Sequence, residues 1–199
     1  MVNDSGSADS VDAIGSGKTV TSSRLVVIII LVVAIVAGAI IYSVIHPASY
    51  VSTLDGFQIR FPANPSVYNL ASKKDPSGGT ESGRLYGYAN QAAATDYAVY
   101  VINYSGNKTN AQTNLEKKAL LQADVDQLAS AESASVVNGK FISFNGYNAV
   151  SASLVPTTKA DASAYLLAFL KGNRLYMILG AGLSQSKFNT FAYSFKLTS

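Results

Sequence analysis

Hydrophobic and polar positions divide this chain into one long apolar run and a larger region of short alternating segments. The run from Leu25 to Ile45 contains 21 residues without a charged side chain. As a helix rising about 1.5 Å per residue, it matches the hydrocarbon thickness of a bilayer, roughly 30 Å. The pattern predicts one transmembrane helix after a polar, disordered tail at 1–24, followed by a linker at 46–54 and a domain at 55–199.

A buried core helix and a cleaved signal peptide are the alternatives to a membrane span. A signal-peptide core is shorter and follows a short basic leader, whereas a 24-residue tail with three aspartates precedes this run. Lys18 and Arg24 lie just before the run, and the first cation after it is Arg60. This difference favours a cytoplasmic N-terminus. The sequence therefore predicts a single-pass cell-membrane protein with an extracytoplasmic C-terminal domain.

Alternating residues predict the first strands of the domain. The segment from Phe57 to Phe61 alternates apolar and polar residues and ends at Pro62, which has no amide proton for a strand ladder. Two more strands are predicted at 85–88 and 97–104. In the second, one face carries Tyr97, Val99 and Val101, and the other carries Tyr100, Ile102 and Tyr104. Polar, glycine-rich segments predict exposed loops from Lys73 to Gly83 and at 105–112.

Helical spacing appears twice. Thr113 and Glu116 have the spacing of a capping box, and an apolar stripe follows at Leu121, Val125, Leu128 and Ala129. A shorter helix is predicted from Ser184 to Ser194, with Phe188 and Phe191 on one face. Each helix has one apolar face, so each is expected to pack on a sheet.

Two tight turns predict hairpins. Asn145-Gly146 suits a two-residue turn with positive φ at both positions, and it sets Phe144 opposite Tyr147. The second turn is Gly172-Asn173, and its arms are almost continuously apolar, which indicates strands covered on both faces. The predicted fold class is α+β, with an antiparallel sheet between two layers of helix, preceded by one transmembrane helix.

Several segments occur together in an order found in one family. They are Phe61-Pro62 with Pro65 after it, the helix at 113–130, Asn145-Gly146-Tyr147, Gly172-Asn173-Arg174-Leu175-Tyr176 and Tyr193-Ser194-Phe195-Lys196-Leu197. Over residues 55 to 197 the chain resembles the PsbP-like superfamily, which includes photosystem II extrinsic subunits, a Ran-binding nuclear factor and bacterial membrane or lipoprotein domains. The resemblance implies an α/β/α sandwich. It supplies no catalytic residues, and fold alone carries no activity across.

The composition of the chain limits the kinds of catalytic and metal site that it can form. The chain has no cysteine, which excludes disulfides and thiolate chemistry, and its one histidine, His46, lies at the predicted membrane boundary. A zinc or copper site and a Ser-His-Asp triad within the domain are therefore not expected. Asp124 and Asp126 point about 200° apart on a helix and cannot form a close carboxylate pair. We expect no enzyme activity, no catalytic or metal residues and no cofactor, and the mild positive charge gives little support to nucleic-acid binding.

Tyrosine is the one residue type in clear excess, with 12 in the chain. Tyr86, Tyr88 and Tyr100 fall on two predicted strands and form a tentative interaction surface, although ordinary sheet packing also explains them. The leading hypothesis is a protein-interaction or complex-accessory module. It would be held in the lipid bilayer by Leu25 to Ile45 and would bind an envelope or surface protein. The alternatives are a small-ligand pocket between the sheet and the loops at 73–83 and 105–112, and an unrecognised hydrolase.

Overall fold

The computed structural model describes residues 49–74, 80–105, 113–157 and 164–198. These residues form two antiparallel sheets and two helices. The strands are β1 (Ser49–Ser52), β2 (Phe57–Arg60), β3 (Ser66–Lys74), β4 (Thr80–Asn90), β5 (Thr95–Tyr104), β6 (Ala134–Phe144), β7 (Tyr147–Pro156), β8 (Ala164–Lys171), β9 (Arg174–Ala181) and β10 (Lys196–Leu197). The helices are α1 (Asn114–Ala131) and α2 (Gln185–Tyr193).

The larger sheet has seven strands in the order β3-β4-β5-β9-β8-β7-β6. Strands β8 and β9 lie near its centre and bury side chains on both faces, as their nearly continuous apolar sequence predicted. Strand β3 lies at one edge of this sheet, and the pattern of apolar and polar residues did not predict it. Lys73, Lys74 and 80–83, predicted as part of an exposed loop, instead extend β3 and β4. An edge strand exposes one side to solvent, so polar residues are compatible with it.

The predicted hairpins are confirmed. Phe144 pairs with Tyr147, and Asn145 and Gly146 adopt φ of 49° and 81° as the two turn residues. Gly172 also takes a positive φ, 57°, and the strands on either side pair from Lys171 and Arg174 onward. A two-residue turn allows only one register between its two strands, so this pairing can be predicted from the sequence.

Helix α1 begins and packs as its sequence predicted. The Thr113 hydroxyl accepts a hydrogen bond from the Glu116 amide, and the Glu116 carboxylate accepts one from the Thr113 amide. The four residues of the predicted stripe are the buried residues of this helix. They pack against β6, β7 and β8, so α1 covers one half of one face of the large sheet.

The opposite face is covered differently from the prediction of a helical layer. A three-stranded sheet in the order β1-β2-β10 lies beside α2 and shares its core with the large sheet. Phe57 and Ile59 of β2 are 0% exposed and point into this core. Strand β1 pairs with β2 although it falls in the predicted linker at 46–54. In β1 the apolar Val51 is exposed and the polar Ser52 is buried, so apolar and polar residues do not alternate as in β2, and the sequence did not reveal this strand.

Among the described residues, no helix combines the length and the apolar character needed to cross a bilayer. The predicted span from Leu25 to Ile45 and the predicted tail at 1–24 lie outside the described residues.

Gly83 offers a test of the β4–β5 pairing. An added Cβ at Gly83 would lie 2.3 Å from the Val101 carbonyl oxygen, whereas one at Gly139 would lie 3.5 Å from the nearest Val136 methyl carbon. Backbone cannot move aside as a side chain can, so we expect Gly83→Ala to lower the free energy of unfolding by about 1–3 kcal/mol. Gly139→Ala should change it by about 0.5 kcal/mol or less. Urea titration of tyrosine fluorescence measures both, and equal effects would contradict the close approach of β4 and β5.

Candidate functional site

A carboxylate lies buried between the two sheets. Asp55, in the turn between β1 and β2, is 1% exposed. Its Oδ1 accepts a hydrogen bond from Arg84 Nη1 at 2.7 Å, and its Oδ2 accepts one from the Tyr86 hydroxyl at 2.5 Å. Both partners lie on β4 of the large sheet, so the pair connects the small sheet to the large one. A buried carboxylate is tolerated in a protein core only with such partners.

Further contacts complete this Asp55 network. The Ser52 hydroxyl shares a hydrogen bond of 2.8 Å with the Tyr86 hydroxyl and accepts another from the Asp55 amide. From β9, the Tyr176 hydroxyl donates to the Asp55 carbonyl oxygen at 2.9 Å. Each oxygen of Asp55 therefore accepts a hydrogen bond within the protein. This geometry fixes the β1–β2 turn on the large sheet.

The network also changes the acidity of its phenols. Burial first, and the hydrogen bond to Asp55 second, raise the pKa of Tyr86 to about 12. Burial also raises the pKa of Tyr176 and of Tyr50, with the Asp55 charge adding to the effect on Tyr50. The Asp55 hydrogen bond raises the pKa of the Arg84 guanidinium. The Tyr86 phenol is therefore neutral at physiological pH and donates its hydroxyl proton in the hydrogen bond to Asp55.

The second candidate site is the half of the large sheet that lies beside α1. Seven strands spaced about 4.8 Å apart span roughly 29 Å, whereas a helix is only about 10 Å wide. Beneath α1, Val150, Leu166 and Ala168 are at most 1% exposed. On the same face, Leu85, Tyr100, Leu175 and Met177 of β4, β5 and β9 are also buried, but a few apolar side chains of β3, β5 and β9 around them remain half-buried. We call this surface the open face, defined by Tyr68, Leu70, Ala98, Ile102 and Leu179.

Small residues form a shallow hollow at one end of the open face. Gly87 of β4 and Ala98 of β5 face each other in register, and Ala89 faces Asp96 beside them. Leu85, which is 1% exposed, forms part of the floor. Burial raises the pKa of the Asp96 carboxyl. An apolar floor with one partly buried acid at its edge suits a ligand that carries an apolar group and a hydrogen-bond donor or cation.

Two buried phenols lie on β5 in line with Ala98 and Ile102 of the open face. Tyr104 donates a hydrogen bond to Asp124 of α1 at 2.9 Å. Tyr100 is 3% exposed, and burial first and the nearby Glu132 charge second raise its pKa. The open face and α1 thus meet at Tyr104 and Tyr100 of β5.

The three tyrosines proposed from sequence do not form one surface. Tyr86 and Tyr88 lie on the face of β4 that packs against the small sheet. Tyr100 pairs with Leu85, whose side chain lies on the opposite face, so Tyr100 faces α1. Tyr86 and Tyr100 are 2% and 3% exposed, so neither can contact a partner while the domain is folded. This corrects the tentative interaction surface. Only Tyr88 is half-buried, against Tyr97 at 6.2 Å between ring centroids, and its contact with a partner stays a prediction.

Sequence reasoning missed both the Asp55 network and the open face. Asp55 sits in a Leu-Asp-Gly turn, and nothing local distinguishes it from a solvated turn residue. The open face depends on strand order, because β5 pairs with β9 although α1, β6, β7 and β8 lie between them in the sequence. Among the described residues, no three His, Cys, Asp or Glu side chains group as metal ligands, and the absence of cofactors and of catalysis stays a prediction.

No family model matches the chain, and no curated protein matches it. Its fold is similar to that of cyanobacterial PsbP from Synechocystis sp. PCC 6803, with a TM-score of 0.51 and 12% sequence identity over 80% of this chain and 98% of that one. A protein from Bacteroides thetaiotaomicron matches 76% of this chain and 48% of its own, at 12% identity and a TM-score of 0.36. The second likeness is too low to carry an argument. The first shows that the domain has a PsbP-like fold.

Removal of the Asp55 side chain tests its structural role. Asp55→Ala leaves the Arg84 charge, whose side chain is 26% exposed, without its partner. We expect a loss of about 2–3 kcal/mol in the free energy of unfolding, below the full value for a buried pair because water reaches part of Arg84. Asp126→Ala, at an exposed acid on α1, should cost about 0.5 kcal/mol or less. Similar unfolding midpoints for the two variants would show that the network does not clamp the sheets.

The raised pKa of Tyr86 predicts alkaline instability. The pKa of about 12 in the folded protein lies above the ordinary tyrosine value of 10.0. The neutral Tyr86 phenol therefore contributes its full share of the free energy of unfolding below pH 10. This share, roughly 2–3 kcal/mol, is lost as the pH rises to 12. In unfolding titrations across this range, Tyr86→Phe should lower stability at neutral pH but show a shallower decline with pH. Parallel declines in the two proteins would contradict the assignment, since other buried tyrosines contribute equally to both.

Proposed function

We propose that this chain is a single-pass membrane protein whose extracytoplasmic PsbP-like domain is a non-enzymatic interaction or complex-accessory module. The open face is its docking surface for a protein partner in the envelope or at the cell surface. The observation that supports this best is that Val150, Leu166 and Ala168 beneath α1 are at most 1% exposed, whereas the five residues of the open face, beside α1, remain half-buried.

The anchoring part of the proposal is supported by the apolar run from Leu25 to Ile45. An uncharged segment of 21 residues partitions into hydrocarbon as a helix because all its backbone groups are then hydrogen-bonded. The cations Lys18 and Arg24 before it support a cytoplasmic N-terminus. The domain would then lie outside the cytoplasm, tethered close to the bilayer.

The docking part is supported by the chemistry of the open face. Tyr68, Ile102 and Leu179 supply apolar surface that gains free energy when it is removed from water. Asp96 is the acid at its edge, and a cation from a partner would relieve the cost of its partial burial. The surface therefore suits a protein segment that presents apolar side chains with one lysine or arginine. Tyrosine at such a surface adds contact area at low entropic cost.

The hollow at Gly87 and Ala98 supports a second candidate function, the binding of a small ligand. Its floor is apolar and the Asp96 carboxyl lies at its edge. The hollow is shallow and open rather than enclosing, and ligand sites usually bury most of the ligand surface. A flat protein contact therefore fits the surface better than a free metabolite does.

Site-specific photocrosslinking in native membranes tests the proposal. A benzophenone side chain at Tyr68, on the open face, should give discrete protein adducts, whereas the same group at Leu115, 77% exposed on α1, should not. Asp96→Asn removes one charge-assisted contact, so we expect it to lower the adduct yield about ten-fold. Asp126→Asn, at an exposed acid of α1, is the matched control and should leave the yield unchanged.

Two results would overturn the interaction function. Equal adducts from Tyr68 and Leu115 would show that the open face has no special partner. Stabilisation of the purified chain by a soluble compound, lost in Asp96→Asn but kept in Asp126→Asn, would instead support the small-ligand function.

A further inference from the structure

The small sheet has an outer side that the large sheet and the core do not use. Ser49 pairs with Arg60, and Val51 and Lys196 both pair with Gln58, so all five residues lie on this outer side. The alternate residues point inward to the core, as the 0% exposure of Phe57 and Ile59 shows. We call this outer side the basic face.

Charge and apolar exposure coincide on the basic face. Arg60 and Lys196 are exposed. Val51, which pairs with Gln58 from the other side of β2 than Lys196 does, is 47% exposed. Leu54, in that turn, is 64% exposed. Tyr193, at the end of α2, is 63% exposed and precedes Ser194, whose hydroxyl accepts a hydrogen bond from the Arg60 amide at 3.0 Å. Cations with exposed aliphatic and aromatic side chains are the residues that bind the interface of a membrane.

No exposed acid in the described segments of this layer opposes these cations. In the described segments that build this layer, 49–60 and 185–198, the one acidic residue is Asp55, which is buried and paired with Arg84. The other side of the domain differs in sign. Helix α1 and its C-cap carry four acids, Glu116, Asp124, Asp126 and Glu132, against two lysines. Among the described residues, the basic face and α1 therefore carry opposite net charge.

Chain connectivity places the basic face next to the bilayer. Strand β1 begins four residues after Ile45, the end of the proposed span, so its start lies at most about 14 Å from the end of that span. We propose that the basic face docks flat on a lipid surface rich in anionic headgroups. Arg60 and Lys196 would pair with phosphates, and Val51, Leu54 and Tyr193 would enter the interfacial region.

This inference rests on the proposed membrane anchor and deepens it. The open face lies on the α1 side of the large sheet, and the basic face lies beyond the opposite side. Docking by the basic face would thus turn the open face away from the lipid. The anchor alone would hold the start of β1 near the membrane, but the turn after β1 lies roughly 15 Å further along the strand. Lipid contact at the turn therefore separates flat docking from simple tethering.

The absence of cysteine allows single labels to be placed in the full chain. Thr53→Cys, in the turn, and Ser130→Cys, on α1, are both exposed positions for an environment-sensitive fluorophore. In nanodiscs that contain phosphatidylglycerol and spin-labelled lipid, we expect quenching at position 53 and little at position 130. In phosphatidylcholine alone, quenching at position 53 should fall. High salt should reduce it as well, because ions screen exposed charges.

Charge variants identify the residues responsible. Each cation near an anionic surface contributes about five-fold to binding, so Arg60→Gln with Lys196→Gln should lower the ratio of docked to undocked domain about 25-fold. Lys117→Gln with Lys140→Gln removes the same charge from outside the basic face and should leave quenching at position 53 unchanged. An equal loss in both double variants would show that net charge, not this surface, attracts the lipid.

The outcomes separate this inference from the anchor. A full chain that does not float with protein-free anionic vesicles would overturn both the anchor and the docking. A chain that floats but shows equal quenching at positions 53 and 130 would overturn the docking alone. Quenching at position 53 that appears only in native membrane fragments would assign the basic face to a protein partner and overturn the lipid assignment.

Discussion

The width of the large sheet sets the organisation of this domain. Seven strands present two broad apolar faces, and a single helix is too narrow to cover either one. On one face the chain solves this with the three-stranded sheet and α2 together. On the other face α1 covers β6, β7 and β8, and the open face on β3, β5 and β9 remains half-buried. The proposed docking surface would thus arise from incomplete coverage of an ordinary sheet, not from a dedicated set of polar residues.

The small sheet can serve as a cover only because it is fixed in place. Asp55 connects the β1–β2 turn to Arg84 and Tyr86 of β4, and Tyr176 of β9 holds the same turn through its carbonyl group. A buried ion pair contributes little net stability compared with apolar packing, but its geometry selects one arrangement. Here it sets the position of the small sheet on the large one, and with it the direction in which the basic face points.

The two proposals describe one arrangement of the domain. The proposed span enters the fold at β1, the basic face surrounds that entry, and the open face lies across the large sheet from it. A membrane-bound module benefits from such an arrangement because docking restricts the orientations of its partner surface and reduces the entropy lost when a partner binds. The likeness to cyanobacterial PsbP shows the fold that has these two sides, while the function proposed for each side is argued from its own residues.

Local sequence determined much of this protein. The capping box at Thr113, the buried stripe of α1, the Asn145-Gly146 register and the covered strands β8 and β9 depend on neighbours within a few residues, where helical period, turn conformation and side-chain alternation act directly. Tertiary structure alone decided the rest. The Asp55–Arg84 pair joins residues 29 apart, and the burial of Tyr86 and Tyr100 on opposite faces depends on which strands and layers lie above them. No local pattern encodes this pair or this burial, because both arise only when the strand order brings distant segments of the chain together.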